Sequence, residues 1–327
     1  DTAYLYHGGM GEVIVGKALR DGYRSRVKLA TKMPLWIVES FSDFDKYFDE
    51  QLLRLETDRI DLYLAHSLNR DLWRRARELD FLSWAEDKID RGLIGYLGFS
   101  FHDRVDLFKE IVDASSLWSF CQIQYNYMDI DFQAGLEGLR YAAQAGLAVV
   151  IMEPLRGGAL SKEPPPAIRN LTSMAGIRRS PADLALQWLW NQPEVSVVLS
   201  GMTTMEQLIE NIASARNSRI GLLDDRELKL IEQIRETYRK FAPIPCTACG
   251  YCLPCPGGID IPHAFEKYND AVMYDDPRTA RFRYRQVPRE QWANNCTECL
   301  QCEEMCPQEI EISQWLKIAH DFLGPRQ

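Results

Sequence analysis

Eight of the nine cysteines in this 327-residue chain lie in two short runs near its C-terminus, and each run is followed by a proline. The first run consists of Cys246, Cys249, Cys252 and Cys255. The second run consists of Cys296, Cys299, Cys302 and Cys306. Its spacing, C-x2-C-x2-C-x3-C-P, is typical of iron–sulfur proteins in which three thiolates bind one cubane and the fourth binds a second cubane. The sequence therefore predicts a domain with two [4Fe-4S] clusters bound by these eight cysteines.

Disulfides and zinc are the alternatives for so many cysteines. A disulfide framework suits short secreted chains, and this sequence shows no signal-like apolar stretch at its start. Two C-x2-C pairs can hold a zinc ion, but four cysteines per run, each run ending in Cys-Pro, fit cubane clusters better. Cys255 is the ligand that the spacing supports least, because it follows Cys252 after two residues rather than three. The ninth cysteine, Cys121, lies in an apolar stretch and is predicted to be a buried hydrophobic residue.

Composition and charge limit the classes of partner. The net charge is −9 and no basic cluster stands out, which argues against nucleic acid as the main partner. No stretch approaches 18 uninterrupted apolar residues, so no membrane span is predicted. Thiolates that bind iron need a reducing compartment, and we therefore expect a cytoplasmic location.

Short apolar runs alternate with amphipathic stretches in the first two thirds of the chain. The predicted strands are residues 27–31, 60–66, 94–100, 120–125, 147–153 and 195–200. The predicted helices are residues 41–56, 72–91, 104–115, 132–145, 180–191 and 204–214. This alternation without a dinucleotide glycine motif favours an α/β fold of the (β/α)8 TIM-barrel type over a doubly wound sheet. Because only six of eight strands are visible, we expect the first two to precede Asp1.

Three segments make up the predicted organisation of the chain. Residues 1–222 form the barrel, residues 223–245 form a helix and a proline-rich linker, and residues 246–327 form the cluster domain. Between the cysteine runs, residues 264–274 and 277–284 have helical patterns. The cluster domain is therefore predicted to be a small α-helical ferredoxin-like domain rather than a β-rich one.

Motifs at successive strand ends resemble the aldo-keto reductase family. In chain order they are DTAYLY at 1–6, LATK at 29–32, DRIDLYLAH at 58–66, GFS at 98–100, CQIQYN at 121–126, MEPL at 152–155, and Ser200-Gly201 with Gln207 and Asn211. The motifs follow the family's order, and with the cysteine runs they resemble its branch with a C-terminal 4Fe-4S ferredoxin-type domain. This resemblance implies an NAD(P)-dependent oxidoreductase that acts on a carbonyl or alcohol.

The resemblance implies that Tyr6 is the general acid/base, assisted by Asp1, Lys32 and His66. A phenol has a pKa near 10 and is a poor acid at neutral pH unless a cation lowers it. Lys32 can supply that cation, Asp1 can hold Lys32 charged, and His66 can orient a carbonyl oxygen. Taken singly, Lys32 also fits a strand-end lysine and His66 a core histidine.

The resemblance also implies residues that bind NAD(P)H. Ser100 and Gln122 would hydrogen-bond the nicotinamide carboxamide. The other predicted contacts are Leu155, Arg156, Gly157, Ser200, Gly201, Gln207 and Asn211. Two positions depart from the family pattern, with Phe101 in place of a common Asn and Met152 in place of a stacking Tyr. No Lys or Arg follows Gly201 before Arg216, and the choice between NAD and NADP stays open.

Two function classes remain. Hydride transfer moves two electrons together, whereas a cluster accepts one, and the sequence shows no flavin motif. The first class is an oxidoreductase fused to an iron–sulfur electron-transfer module. The second is a non-catalytic or flavin-partnered electron-transfer subunit whose barrel is a scaffold. The expected partners are a small carbonyl or alcohol substrate and, for the clusters, a redox partner protein, with neither nucleic acid nor a membrane.

Overall fold

The structure is a computed structural model that describes residues 1–246, 248, 250–306 and 308–325. Its contacts divide the chain into two compact units. The first unit comprises Asp1–Lys162 and Arg179–Asp224, and the second comprises Glu163–Arg178 and Asp225–Gln327.

The first unit is built on a parallel sheet. Its strands are β1 (Ala30–Met33), β2 (Ile60–Leu68), β3 (Ile94–Phe101), β4 (Trp118–Gln124), β5 (Ala148–Met152) and β6 (Val195–Val198). Among the described residues the six strands lie side by side in sequence order, and each pairs in parallel with the next. This arrangement confirms the predicted α/β fold of TIM-barrel type, although the sheet is not closed and β1 and β6 form its edges.

Helices alternate with the strands in the first unit and make up the second unit. In chain order the helices of the described part are α1 (Gly11–Ala18), α2 (Phe41–Leu55), α3 (Arg70–Glu78), α4 (Phe81–Asp90), α5 (Val105–Asp113), α6 (Gly135–Gln144), α7 (Pro166–Met174), α8 (Pro181–Trp190), α9 (Met205–Arg216), α10 (Asp225–Lys240), α11 (Ile261–Met273), α12 (Pro277–Tyr284), α13 (Gln301–Glu304) and α14 (Ile312–Leu323). None of them is long and apolar enough to cross a bilayer.

The core of the first unit lies between the sheet and the helices of that unit. Helix α2 buries Phe44 and Phe48 against Trp84 of α4 and Tyr63 of β2. Each such side chain contributes about 1.5–3 kcal/mol of burial free energy. Cys121 of β4 is fully buried in this core, which confirms its predicted role as a hydrophobic residue.

Two sequence predictions about local structure were wrong, and helix α1 was missed. The first strand begins at Ala30, not at residue 27, so it overlaps the prediction at only two residues. The helix predicted over residues 72–91 is two helices, because Asp80 between α3 and α4 adopts the left-handed conformation with φ of 57°. Helix α1 was not predicted, because its glycine-rich sequence lacks a strong apolar period.

The second unit contains α7 and α10–α14, and its described residues form no strand. Helices α11 and α12 lie between the cysteine runs, as the helical pattern predicts. They pack with α14 around a core that includes Phe265, Tyr284, Trp292 and Leu316. Six of the described cysteines lie against this core, half-buried: Cys246, Cys252, Cys255, Cys296, Cys302 and Cys306.

Candidate functional site

Four of the predicted site residues lie at the carboxyl ends of neighbouring strands. Lys32 is on β1, His66 on β2, Ser100 on β3 and Gln122 on β4, and all four are buried. Since parallel strands place their carboxyl ends at one edge of the sheet, these side chains share the edge at which barrel active sites are built.

Lys32 is a fully buried cation with complete hydrogen bonding. Its Nζ donates to both carboxylate oxygens of Asp1 at 2.9 Å and to the main-chain oxygen of Thr2 at 2.7 Å. The amide of Thr2 donates to the oxygen of Ala30 at 2.9 Å, which holds this segment beside β1. Burial lowers the pKa of Lys32, whereas the neighbouring Tyr6 and Glu12 raise it. The three acceptors around the ammonium offset part of the cost of burying it.

Tyr6 is exposed and faces both Lys32 and His66. The Lys32 Nζ lies 4.8 Å from the centre of the Tyr6 ring. The Tyr6 and His66 rings are edge to face, with their centres 6.1 Å apart. The structure therefore brings together all four residues predicted to be catalytic: Asp1, Tyr6, Lys32 and His66.

His66 is held as a neutral imidazole. Burial lowers its pKa to about 3, and the charges of Lys32 and His102 act in the same direction. Its buried Nδ1 has no hydrogen-bond partner among the described residues. A neutral ring can still donate one hydrogen bond to a ligand oxygen.

Three further residues of the site were not predicted. The centre of the Trp36 ring lies 5.1 Å from that of His66. Its position four residues after Lys32 is the sequence feature that could have indicated it. Glu12 of α1 and Gln51 of α2 are fully buried near Lys32. Polar residues in surface helices look solvated in a sequence, so only the structure reveals the burial of these two.

The two residues predicted to hold the carboxamide are buried beside this group. Gln122 Nε2 donates to Asp1 Oδ1 at 3.3 Å, and Ser100 Oγ accepts from the amide of Ser67 at 2.7 Å. Phe101 packs against Phe108 in the core. Phe101, the residue after Ser100 on β3, therefore adds no polar group to the site.

The segment after β5 carries Leu155, Arg156 and Gly157. Arg156 and Gly157 both have positive φ, of 50° and 62°. The Arg156 side chain is largely buried and its Nε lies 3.5 Å from Asp129 Oδ2. Its guanidinium is therefore paired with a carboxylate, unlike that of an ordinary surface arginine.

The segment after β6 carries the remaining predicted cofactor contacts. Asn211 Nδ2 donates to Ser200 Oγ at 2.9 Å, which ties α9 to the end of β6. Gln207 Oε1 accepts from the amide of Thr203 at 2.8 Å and forms a capping box with Thr204. The side chain of Gln207 therefore caps α9, and exposed Gly201 lies just before that helix.

The described cysteines of the second unit fall into two groups. Cys246, Cys252 and Cys306 line one cavity, together with apolar side chains such as Ile261 and Phe265. The first group therefore joins Cys306 of the second run to two cysteines of the first run. Cys249 lies outside the described residues.

Cys302 belongs to the second group. The pKa of its thiol is raised to about 11, first by burial and then by neighbouring charges that include Cys255 and Cys296. A Cβ added to Gly257 would lie 2.8 Å from the oxygen of Asn295 and 3.8 Å from Cys255 Sγ, so Cys255 approaches the start of the second run. Cys299, in the same run, is exposed.

Both groups suit iron–sulfur clusters chemically. Cysteine sulfur is the ligand that such clusters require, and the half-buried position against an apolar core limits the access of solvent. No set of three or more His, Cys, Asp or Glu side chains among the described residues is arranged as a single-ion metal site.

Comparison with known proteins agrees with both units. A sequence profile of the aldo/keto reductase family matches residues 1–236, and one of the 4Fe-4S dicluster domain matches residues 245–311. L-galactose dehydrogenase from Arabidopsis thaliana is 26% identical, over 72% of this chain and 79% of its own. The NADH-specific methylglyoxal reductase of Escherichia coli is 24% identical, over 73% of this chain and 84% of its own.

Solved structures show the same relationship. An aldo-keto reductase from Bacillus halodurans, in its holo form, has a TM-score of 0.58 at 26% identity, over 72% of this chain and 81% of its own. A thermostable aldo-keto reductase in complex with the inhibitor epalrestat has a TM-score of 0.58 at 28% identity, over 72% of this chain and 81% of its own. The chain therefore belongs to the aldo/keto reductase family, and a 4Fe-4S dicluster domain follows its α/β domain.

Proposed function

We propose that the first unit is an NAD(P)-dependent oxidoreductase that reduces a carbonyl or oxidises an alcohol, with Tyr6 as its general acid/base. One observation carries this proposal. The buried ammonium of Lys32 is held by Asp1 and lies 4.8 Å from the centre of the Tyr6 ring. Burying a charge costs folding free energy. A buried cation beside an exposed phenol is therefore better explained by a role in proton transfer than by a contribution to stability.

The side chains divide the work of carbonyl reduction. Tyr6 gives its hydroxyl proton to the carbonyl oxygen, and the charge of Lys32 stabilises the phenolate that remains. Asp1 keeps Lys32 in place. His66 donates a hydrogen bond to the same oxygen and does not compete as an acid, because its pKa of about 3 leaves it neutral.

A nicotinamide, when bound, supplies or accepts the hydride. Ser100 and Gln122 would hold its carboxamide, and Gln122 has a second amide hydrogen besides the one that it gives to Asp1. Leu155, Arg156 and Gly157 would line the pyrophosphate, with Ser200, Gly201, Gln207 and Asn211 at the adenosine end. The names of the relatives support a small carbonyl compound or a sugar as the substrate class.

Nicotinamide binding and turnover in Tyr6→Phe test this proposal. We expect the variant to bind NADH or NADPH like the wild type, measured by fluorescence, and to lose about a hundred- to ten-thousandfold in kcat with methylglyoxal or other small carbonyls. Tyr23→Phe, at an exposed tyrosine outside the site, is the matched control and should keep its kcat. A wild type that binds neither nucleotide would instead favour a scaffold role for the barrel.

We also propose that the second unit transfers electrons through two [4Fe-4S] clusters. The grouping of the described cysteines supports one ligand set with Cys246, Cys252 and Cys306, and the spacing of the first run adds Cys249 to it. It supports a second set with Cys255, Cys296 and Cys302, and the spacing of the second run adds Cys299. Cys255, the ligand that spacing supported least, then completes the second set.

Iron analysis and electron paramagnetic resonance test the cluster proposal. Protein purified without oxygen should contain about eight iron atoms, the number that two cubanes require. The spectrum after addition of NADH, with and without substrate, shows whether electrons pass from the nicotinamide to the clusters. Clusters that stay oxidised exclude direct transfer from the nicotinamide and point to a separate redox partner protein.

A further inference from the structure

Glu12 is a fully buried carboxylate in the first turn of α1. Its Oε1 accepts hydrogen bonds from Thr31 Oγ1 at 2.7 Å and from Gln51 Nε2 at 2.6 Å. Its Oε2 accepts from Arg54 at 3.4 Å. Burying a carboxylate costs free energy even when it is hydrogen-bonded. Because Glu12 contacts Thr31, the residue before Lys32, its buried position calls for an explanation.

Gln51 connects Glu12 to the strand that carries Lys32. Its Nε2 donates to the main-chain oxygen of Lys32 at 2.9 Å as well as to Glu12. Its Oε1 accepts from the hydroxyl of Tyr63 at 2.6 Å, which fixes the orientation of the amide. Together with Thr31, this amide ties two consecutive residues of β1 to one carboxylate.

Arg54 connects Glu12 to the loop that carries Tyr6. The same guanidinium nitrogen that faces Glu12 lies 3.5 Å from the main-chain oxygen of Tyr4. The guanidinium carbon lies 4.2 Å from the centre of the Tyr4 ring. Glu12 is therefore the common acceptor of contacts that reach both the Lys32 strand and the Tyr6 loop.

We propose that Glu12 is a positioning residue of the active site, which keeps Lys32 and the Tyr6 loop in register and supports the positive charge of Lys32. This inference rests on the proposed oxidoreductase function. Glu12 acts through Thr31, Gln51 and Arg54, without touching substrate or cofactor.

The charge of Glu12 has a predictable effect on pH dependence. The titratable groups that face Lys32 are Asp1, Tyr6, Glu12 and His66. Burial lowers the pKa of Lys32, while Tyr6 and Glu12 raise it. Removing the charge of Glu12 lowers this pKa further, so Lys32 loses its proton at a lower pH. The alkaline limb of the kcat profile, where the site needs a charged Lys32, then moves to lower pH.

The test compares Glu12→Gln with Asp45→Asn. Asp45 is a carboxylate of α2 that lies 2.8 Å from the buried Lys88, so its loss removes one of the two carboxylate partners of a buried cation, away from the site. The protonation of Lys32 is followed directly by NMR, through the carbon-13 signal of its Cε. This signal is assigned by its absence from the spectrum of Lys32→Arg. This titration needs no substrate and therefore separates the inference from the proposed function.

We expect Glu12→Gln to shift the Lys32 titration down by about half a pH unit or more, since the two charges interact through the protein interior. We expect kcat to fall about ten- to a hundredfold, the size of effect that a small displacement of catalytic groups produces, with KM unchanged. Asp45→Asn should change neither. If Glu12→Gln does not fold, Glu12→Asp keeps the charge but shortens the reach, and it should lower kcat without moving the titration.

Two results overturn the inference. One is a Lys32 titration and a kcat in Glu12→Gln that match the wild type, with only a loss of thermal stability. The other is a Glu12→Asp variant with wild-type kcat where Glu12→Gln cannot be made. A wild type without nicotinamide binding, in which Lys32 still responds to Glu12→Gln, contradicts the oxidoreductase proposal but not the electrostatic link.

Discussion

The two units assemble their candidate sites in different ways. In the first unit, Lys32, His66, Ser100 and Gln122 are distant in sequence, and only the parallel sheet brings them to one edge. In the second unit the cysteines are already close in sequence. The fold also exchanges one cysteine between the two runs. Cys306 of the second run joins cysteines of the first run, and Cys255 of the first run approaches the second. Damage to either site should therefore leave the other intact.

The largest effect that separates the two units is expected for Lys32→Met. Loss of the cation removes the charge that stabilises the Tyr6 phenolate, and we expect kcat to fall by about a thousandfold. The iron content should not change, because none of the described cysteines contacts Lys32 or its partners. A variant that lost both activity and iron in parallel would show that the two sites depend on one another.

Gly11→Ala is expected to have the next largest effect. A Cβ at Gly11 would lie 2.9 Å from the Cβ of Tyr6 and 3.0 Å from Thr2 Oγ1, so Tyr6 has to move. We expect kcat to fall about tenfold or more, although alanine favours the helix by about 1 kcal/mol.

Gly16→Ala in the same helix is the matched comparison. Its Cβ would lie 2.6 Å from the oxygen of Arg54, where α1 meets α2, and it does not approach Tyr6. This variant should lose thermal stability more than activity per folded molecule. Equal kcat losses in both variants would contradict a specific effect on Tyr6.

Each proposed cluster has one cysteine ligand from the other run. Removing either of these two cysteines should therefore cause the same loss of iron. Cys306→Ser should remove the cluster of the first run, and Cys255→Ser that of the second run, each with a loss of about four iron atoms of eight. Nicotinamide binding by the first unit should stay unchanged. If Cys255→Ser kept all its iron, the ligand set that includes Cys255 would be wrong.

The order of strands and the residues at their ends could be predicted because short apolar runs and strand-end motifs are local signals. Lys32 and His66 are examples, since each directly follows or ends a buried run. The break at Asp80 could not be predicted, because the apolar pattern continues through it and only φ changes. The burial of Glu12 and Gln51 was equally hidden, because it depends on how α1 and α2 pack on β1. Cys249 lies outside the described residues, so its place in the first ligand set stays a prediction.

The smallest expected effects come from removing one helix cap in each unit, which compares the stability of the two units. Asn69 caps α3 of the first unit by accepting from the amide of Leu72 at 2.9 Å, and Asp260 caps α11 of the second by accepting from the amide of His263 at 3.1 Å. Replacing either residue by alanine should cost about 1 kcal/mol. If clusters stabilise the folded second unit, metal binding adds to its folding free energy.

We therefore expect Asn69→Ala to lower the Tm of the first unit equally with and without iron. Asp260→Ala should lower the Tm of the second unit clearly only after a chelator has removed the iron, because the bound clusters otherwise hold α11 through the neighbouring cysteines. Calorimetry of both variants, with and without the chelator, checks this difference. A shift in Asp260→Ala that is the same in both states would mean that the second unit draws its stability from its apolar core, around Phe265 and Tyr284, rather than from its clusters.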